Sequence, residues 1–390
     1  MRVIPEIEAA QAELASWRRQ LHAYPELAYE EVQTASFVAE KLASWGLPVH
    51  CGLARTGVVA TLARGAGPRI GLRADMDALP IREANTFAHR SRNDGKMHAC
   101  GHDGHTAMLL GAARYLADHS RFAGTIEFIF QPAEEAAGGA KVMMDDGLFE
   151  QFPVDAVFGM HNWPGLEVGR FAMRKGPMMA SMDCFELSIQ GRGAHGALPH
   201  QGVDPIATAA QVISALQSIV SRNVNPLDAA VVSVTKIHGG DAYNIIPDSV
   251  ELAGAIRCFE NAQRTMLKRR VVEVAQGICS AMGATASVDF VSSYPAVMNW
   301  EEPTALAAKV AASIAGSDRV DAAAAPVMGS EDFAYMLERI PGCYVLIGNG
   351  SGDGACMIHN PGYDFNDAIL PLGASYWVRL AEAFLERGTA

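Results

Sequence analysis

The chain has no run of ~18 consecutive apolar residues among its 390, so no membrane-spanning helix is expected. It also lacks a basic stripe. Lys and Arg number 31 against 43 Asp and Glu, a formal net charge of −12, which argues against a nucleic-acid partner. The opening stretch, "MRVIPEIEAAQAELASWRRQLHAYPELAYEE", has no apolar core of the secretory kind. It reads as an amphipathic helix that stops near Pro25. Cysteine is sparse: seven residues, at 51, 100, 184, 258, 279, 343 and 356, odd in number and widely scattered. That distribution fits reduced, buried thiols in a cytoplasmic protein rather than a disulfide framework. No internal repeat, low-complexity segment or G-x-x-x-x-G-K-[ST] phosphate loop is present.

What the chain does have is alternation of short apolar strands with longer helical patterns. "VVATLA", "RIGLRADMDAL", "GTIEFIFQPAEE" and "AVFGMHNW" read as strands. "HTAMLLGAARYLADH" and "GGAKVMMDDGLF" read as helices between them. This predicts an α/β sheet flanked by helices, with functional residues where strands end. From about Ala180 to Ala296 the order changes to β-α-β-β-α-β, that of a compact ferredoxin-like α+β unit. "CYVLIGNG" and "PLGASYWVRLAEAFLER" then return to α/β character. Residues 1–179 and 297–390 are therefore read as one domain, and 180–296 as an insertion into it.

Several segments could carry chemistry. "MHACGHDGHTAM" puts His98, Cys100, His102, Asp103 and His105 on a glycine-bent loop before a helix. A thiolate and imidazole two residues apart can reach one metal or two adjacent metals. The same cysteine could instead be a nucleophile with His102 or His105 as its base. In "FIFQPAEEAAGG", Glu134 and Glu135 follow a strand. At a strand end adjacent side chains diverge, so one could ligate a metal while the other faces a water. A helix-start pair of acids is the alternative. His161 in "AVFGMHNWPG" and His359 in "CMIHNPGYDFND" each end an apolar run. The insertion carries His195 and His200 in "GRGAHGALPHQGVDP", Asn244 in "YNIIP" and Arg257 in "GAIRCF". Arg257 suits either a carboxylate clamp or a surface ion pair.

Taken in order, "MHACGHDGHTAM", "QPAEE", "GMHNWP", "GRGAHGALPHQGVDP", "MGSEDFAYM" and "HNPGYDFND" closely resemble the M20 metallopeptidase superfamily. The nearest branch is that of hippurate hydrolases, N-acyl-amino-acid amidohydrolases and indole-acetyl-amino-acid hydrolases. The resemblance implies a dinuclear-metal α/β catalytic domain with an inserted dimerisation or lid domain. It implies two divalent ions per subunit (Zn, Mn, Co or Ni), bridged by Cys100. His102 and His161 would complete one site, and Glu135 and His359 the other. Glu134 would be the general base. His195 would reach the partner subunit's active site, and Asn244 and Arg257 would hold the substrate carboxylate. The chain departs from the superfamily at "RADMDALP", where Asp75 stands in place of a ligand histidine. His102 then takes over that role, and Asp77 supports it from behind. Gly196, where the branch more often has alanine, is a second departure.

The implied activity is metal-dependent hydrolysis of an N-acyl amino acid to a carboxylic acid and a free amino acid. The partners implied are a small-molecule substrate and a second copy of the chain, as a homodimer or a tetramer. A dipeptidase or aminopeptidase of the same superfamily, and a non-catalytic metal- or ligand-binding dimer on the same fold, are the alternatives.

Overall fold

The computed structural model describes residues 1–351 and 356–386. The chain forms two compact units. One comprises residues 1–178, 297–325 and 332–390, the other 179–296 and 326–331.

The first unit opens with three helices, α1 (Pro5–Ala9), α2 (Gln11–Ala23) and α3 (Val32–Ser44). The expected single N-terminal helix is broken at Ala10, and α2 ends just before Pro25, where a proline disfavours further helix. Strands β1 (Val49–Leu53), β2 (Gly57–Arg64) and β3 (Arg69–Asp75) follow. Then come α4 (His102–His119), β4 (Gly124–Gln131), α5 (Glu134–Ala137), α6 (Gly139–Asp145), α7 (Leu148–Gln151) and β5 (Ala156–Pro164). The pattern "GGAKVMMDDGLF" thus yields two short helices, parted at Gly147 with φ 91°. Short strands β6 (Phe171–Ala172) and β7 (Gly176–Met179) complete this stretch.

The second unit contains β8 (Ser181–Gln190), β9 (Ala194–His195), α8 (Pro205–Asn223), β10 (Ala230–His238), β11 (Ile245–Ile246), β12 (Ser249–Cys258), α9 (Asn261–Ala281) and β13 (Thr285–Tyr294). Its four-stranded antiparallel sheet runs β10-β12-β8-β13. Burial alternates along β12, so one face packs on α8 and α9 through Phe185, Leu187, Val212, Leu216, Leu267 and Val271. Asp204 caps α8 by accepting from the Ile206 and Ala207 amides, and Pro205 takes the first helical position. The predicted β-α-β-β-α-β order is observed, with one addition. The two-residue strands β9 and β11 pair, so His195 lies opposite Ile245.

The chain returns to the first unit with β14 (Val297–Asn299), α10 (Glu301–Ala315), β15 (Val320–Asp321), α11 (Ala334–Arg339), β16 (Gly342–Gly350) and α12 (Leu370–Leu385). Its eight-stranded mixed sheet runs β1-β2-β4-β3-β5-β16-β6-β15. The four central strands, β4, β3, β5 and β16, are mutually parallel. They are buried almost end to end, as expected for parallel strands covered on both faces. All four therefore finish on one edge of the sheet: Asp75 ends β3, His161 lies near the end of β5, and Glu134, Glu135 and His359 come shortly after β4 and β16. Among the described residues no helix is long and apolar enough to cross a membrane.

Candidate metal centre

Cys100 sits immediately before α4, on a loop that only glycines could build. Gly101, with φ 96°, is the residue preceding the helix, and a Cβ there would stand 2.4 Å from Asn162 Oδ1. A Cβ on Gly104 would lie 2.2 Å from the Phe365 ring. Asn162 draws this loop to the end of β5. Its Nδ2 donates to the Cys100 carbonyl at 2.9 Å, and the Tyr363 hydroxyl donates to its Oδ1.

Around Cys100 the structure gathers two sets of groups able to hold a metal ion. One is Cys100, His102 and His161; the other is Cys100, Glu135 and His359. Within each set the ligand atoms lie within 4.8 Å of one another. His102, Glu134 and Glu135 form a further such set, as do Asp75, His102 and His105. The residues singled out in four separate sequence segments are thus neighbours, and the thiol belongs to two of the sets.

The histidine tautomers suit this arrangement. His102 donates from Nδ1 to the Asp77 carbonyl at 2.9 Å, with Asp77 Oδ1 at 3.3 Å. Its buried Nε2 has no hydrogen-bond partner among the described residues. His161 donates from Nδ1 to the Asn162 carbonyl at 2.6 Å, and its Nε2 lies 3.3 Å from Cys100 Sγ. Glu135 Oε1 is buried and 3.1 Å from His359 Nε2, without the alignment of a hydrogen bond. Buried polar atoms without partners are costly. Donor atoms that converge on shared points, and that a cation would take up in deprotonated form, fit divalent metal.

Charge follows the same geometry. Burial, and then the carboxylates of Glu135, Glu134 and Asp75, hold the Cys100 thiol well above its usual range. Burial would depress His102, but Asp75 and Asp77 outweigh it and hold the ring at about 10. His161 is pushed down by burial and by the neighbouring His105. Among the described residues Cys100 Sγ approaches His161 Nε2, and not His102 or His105, the bases that a cysteine-nucleophile reading names. His105 is committed elsewhere: Nδ1 pairs with Asp75 Oδ1 at 2.6 Å, and Nε2 accepts from the Asn162 amide at 3.0 Å.

Glu134 and Glu135 do not end a strand. β4 stops at Gln131, Pro132 offers no amide to a ladder, and Ala133 takes a left-handed conformation (φ 57°). The two acids therefore begin α5, where successive side chains diverge by about 100°. Glu134 Oε1 accepts from the Asp332 amide at 3.4 Å. The Glu135 amide donates to Asp77 Oδ2 at 2.9 Å, so Asp77 touches both His102 and Glu135. Asp75 lies behind these groups. Its Oδ2 accepts from Arg73 at 2.8 Å and stands 3.8 Å from His102 Nε2.

Sequence reasoning missed the partners of Asp103. His22 Nδ1 approaches its Oδ2 at 2.9 Å, while His22 Nε2 meets Glu83 Oε1 at 3.1 Å. It also missed Asn162 and Glu31. Asn162 stands within the motif "GMHNWP", whereas nothing in the sequence marks Glu31. His98 is fully buried, and neither ring nitrogen has a hydrogen-bond partner among the described residues.

In the second unit, His195 is exposed and its Nδ1 accepts from the Ala197 amide at 3.0 Å. The ring proton is thereby left on Nε2. The Gly196 amide donates to the Asn244 carbonyl at 2.7 Å, and a Cβ on Gly196 would lie only 3.1 Å from that oxygen. The glycine thus permits the close approach of the two loops. Arg257, half-buried on β12, donates to the Met328 carbonyl at 2.8 Å.

The model of Peptidase family M20/M25/M40 matches residues 71–383. A hippurate hydrolase of Campylobacter jejuni is 42% identical over 387 residues, covering 99% of this chain and 100% of that protein. An N-acetyl-L-cysteine deacetylase of Bacillus subtilis is 42% identical over 374 residues, covering 95% of this chain and 88% of the relative. Among solved structures, a dinuclear metal-binding peptidase of the M20 family from Bacillus subtilis superposes with a TM-score of 0.83 at 36% identity. It covers 97% of this chain and 99% of its own. With the family model spanning most of its length and relatives matched nearly end to end, the chain belongs to Peptidase family M20/M25/M40.

Proposed function

We propose that this protein is a metal-dependent amidohydrolase. It cleaves the amide bond of N-acyl amino acids, hippurate-like or indole-acetyl conjugates among them, to a carboxylic acid and a free amino acid. The carrying observation is the pair of ligand sets that share the Cys100 thiol, with Glu134 beside them. Cys100, His102 and His161 would hold one divalent ion, and Cys100, Glu135 and His359 the second. The mixed thiolate, imidazole and carboxylate donors suit Zn, Mn, Co or Ni. When bound, such ions supply Lewis acidity toward water and the substrate carbonyl.

The chain's own groups move the protons. Glu134 removes a proton from the attacking water, whose oxygen adds to the amide carbon. Glu134 then returns that proton to the leaving nitrogen as the C–N bond breaks. His195, with its proton on Nε2, donates to the carbonyl oxygen as that atom gains charge. Arg257 and Asn244 hold the α-carboxylate and fix which bond faces the water. Arg257 keeps donors to spare beyond those used on Met328, Ser330 and the Met182 sulfur. Asp77, touching His102 and the Glu135 amide, fixes both ligands from behind. His195 acts in the partner subunit's site of a homodimer. The exposed Leu227, Tyr243 and Ile245 of the second unit support an association surface there. Thiols at Cys51, Cys100, Cys184, Cys258, Cys279 and Cys343 without disulfides support a cytoplasmic setting.

Amine release from N-acyl amino acids and dipeptides, with and without chelator, tests this reading. Glu134→Gln should lower turnover by about 10²–10⁴-fold with metal content unchanged. An active Glu134→Gln enzyme would remove Glu134 from its role. Faster turnover of dipeptides than of N-acyl amino acids would assign a peptidase instead.

A further inference from the structure

Among the described residues, five non-glycine positions have positive φ: Tyr29, Ala54, Arg55, Ala133 and His359. The left-handed conformation is unfavourable for such residues and persists where surrounding contacts impose it. Four of the five meet in one hydrogen-bonded cluster, and its centre is Glu31.

Glu31 is fully buried, next to the turn at Tyr29. Its Oε1 accepts from the Ala133 amide at 2.9 Å, and its Oε2 accepts from the Thr56 hydroxyl at 2.6 Å. Thr56 follows the left-handed pair Ala54 and Arg55, and its amide donates to the Ala54 carbonyl at 2.9 Å. The Ala54 amide in turn donates to Asp146 Oδ2 at 2.7 Å, at the end of α6. The Arg55 guanidinium lies 5.0 Å from the centre of the Tyr29 ring. The segment carrying Glu134 and Glu135 is thus tied at both ends to the same turn, by Glu31 at Ala133 and by Asp146 at its far side.

Ala133 is the only residue between Pro132, which has no amide hydrogen, and Glu134. Both of its backbone polar atoms are engaged: the amide by Glu31, and the carbonyl by the Gly139 amide at 2.9 Å. Its dihedrals set the direction in which Glu134 leaves the chain. We infer that Glu31 is a positioning residue for the general base, acting by hydrogen-bonding the left-handed Ala133 backbone. This rests on Glu134 being that base. Displacing a reacting group by about 1 Å costs on the order of 10²-fold in rate, so Glu31 influences turnover without touching substrate. The bond requires an oxygen acceptor and no charge, so glutamine serves at this position.

The test compares Glu31→Ala, Glu31→Gln and Thr56→Val with Glu134→Gln. All are assayed as full-length protein at saturating divalent metal with hippurate, with metal content and thermal unfolding recorded. Glu31→Ala should lower kcat by about 10- to 100-fold with KM within about two-fold. Glu31→Gln should stay within about three-fold of the parent, since its amide oxygen can still accept from the Ala133 amide while its NH2 donates to the Thr56 hydroxyl oxygen, reversing that bond. Thr56→Val, which frees the carboxylate to rotate, should fall between them. A role confined to stability would move unfolding and leave kcat per folded, metal-loaded site unchanged. Parental kcat in folded Glu31→Ala, or equal loss in Glu31→Gln, overturns the inference. If Glu31→Ala does not fold, parental kcat in Thr56→Val overturns it. Activity in Glu134→Gln defeats the base assignment itself. An inactive Glu134→Gln beside a fully active Glu31→Ala defeats only the role of Glu31.

Discussion

The buried His22 gives a pH-dependent stability that can be worked from its surroundings. Burial alone would push this imidazole down, but hydrogen bonds to Asp103 and Glu83 outweigh it and hold it up at about 9. Arg18, 3.5 Å from Asp103 Oδ2, opposes the rise, and the His89 and His98 rings stand nearby. The rise from 6.5 to about 9 corresponds to about 3 kcal/mol at 1.36 kcal/mol per unit. Because the folded value is raised, this contribution is complete below pH 6.5 and is lost as pH climbs through about 9.

The perturbation is His22→Gln, which removes the titration. All five tryptophans, at 17, 45, 163, 300 and 377, lie in the first unit, so intrinsic fluorescence during urea unfolding reports on that unit. The stability difference between parent and variant should shrink by about 3 kcal/mol between pH 6 and pH 10. A histidine-selective NMR titration of the parent should show one buried ring titrating near 9. A difference that does not vary with pH, or a His22 that titrates at 6.5 or below, refutes the reasoning.

Two further outcomes concern the loop that carries Cys100. Cys100→Ser should lose metal along with activity, because the thiol belongs to both ligand sets and an alcohol is a poorer ligand. Elemental analysis decides this, and an inactive variant that kept both ions would revive the cysteine-nucleophile reading. Gly104→Ala should lower stability by about 1–3 kcal/mol, since its Cβ would stand 2.2 Å from the Phe365 ring. Thermal unfolding measures it, and Phe365→Leu should recover part of the loss.

The α/β alternation and the β-α-β-β-α-β order were legible because each element is local and its apolar period repeats within about ten residues. The groups placed around Cys100 were legible for a different reason: their residue types stood out in six motifs, and the resemblance of those motifs to a known superfamily implied their roles. Their supports were not. Glu31 meets Ala133, His105 meets Asp75, and Asn162 meets Cys100 across long stretches of chain. No periodicity marks a hydrogen bond between a side chain and a distant amide. The Glu134–Glu135 pair shows how fine the margin is. Pro132 was in view, but the left-handed turn at Ala133 depends on a carboxylate some hundred residues earlier in the sequence. Asp75 illustrates the same limit. The sequence showed only that it stands where relatives have a ligand histidine; its pairing with His105, thirty residues on, was not legible.

The order of the central strands along the chain, β3, β4, β5 and then β16, also sets a timetable for synthesis. Cys100, His102 and His161 all precede the inserted unit, which begins at Met179. His359 follows it, near the end of the last central strand to be made. At about 5–20 residues per second, the ribosome takes about 10–40 s to travel from His161 to His359. The first ligand set therefore exists on the nascent chain well before the second can close. The thiol common to both waits through that interval with one of its four companions, His359, still unmade.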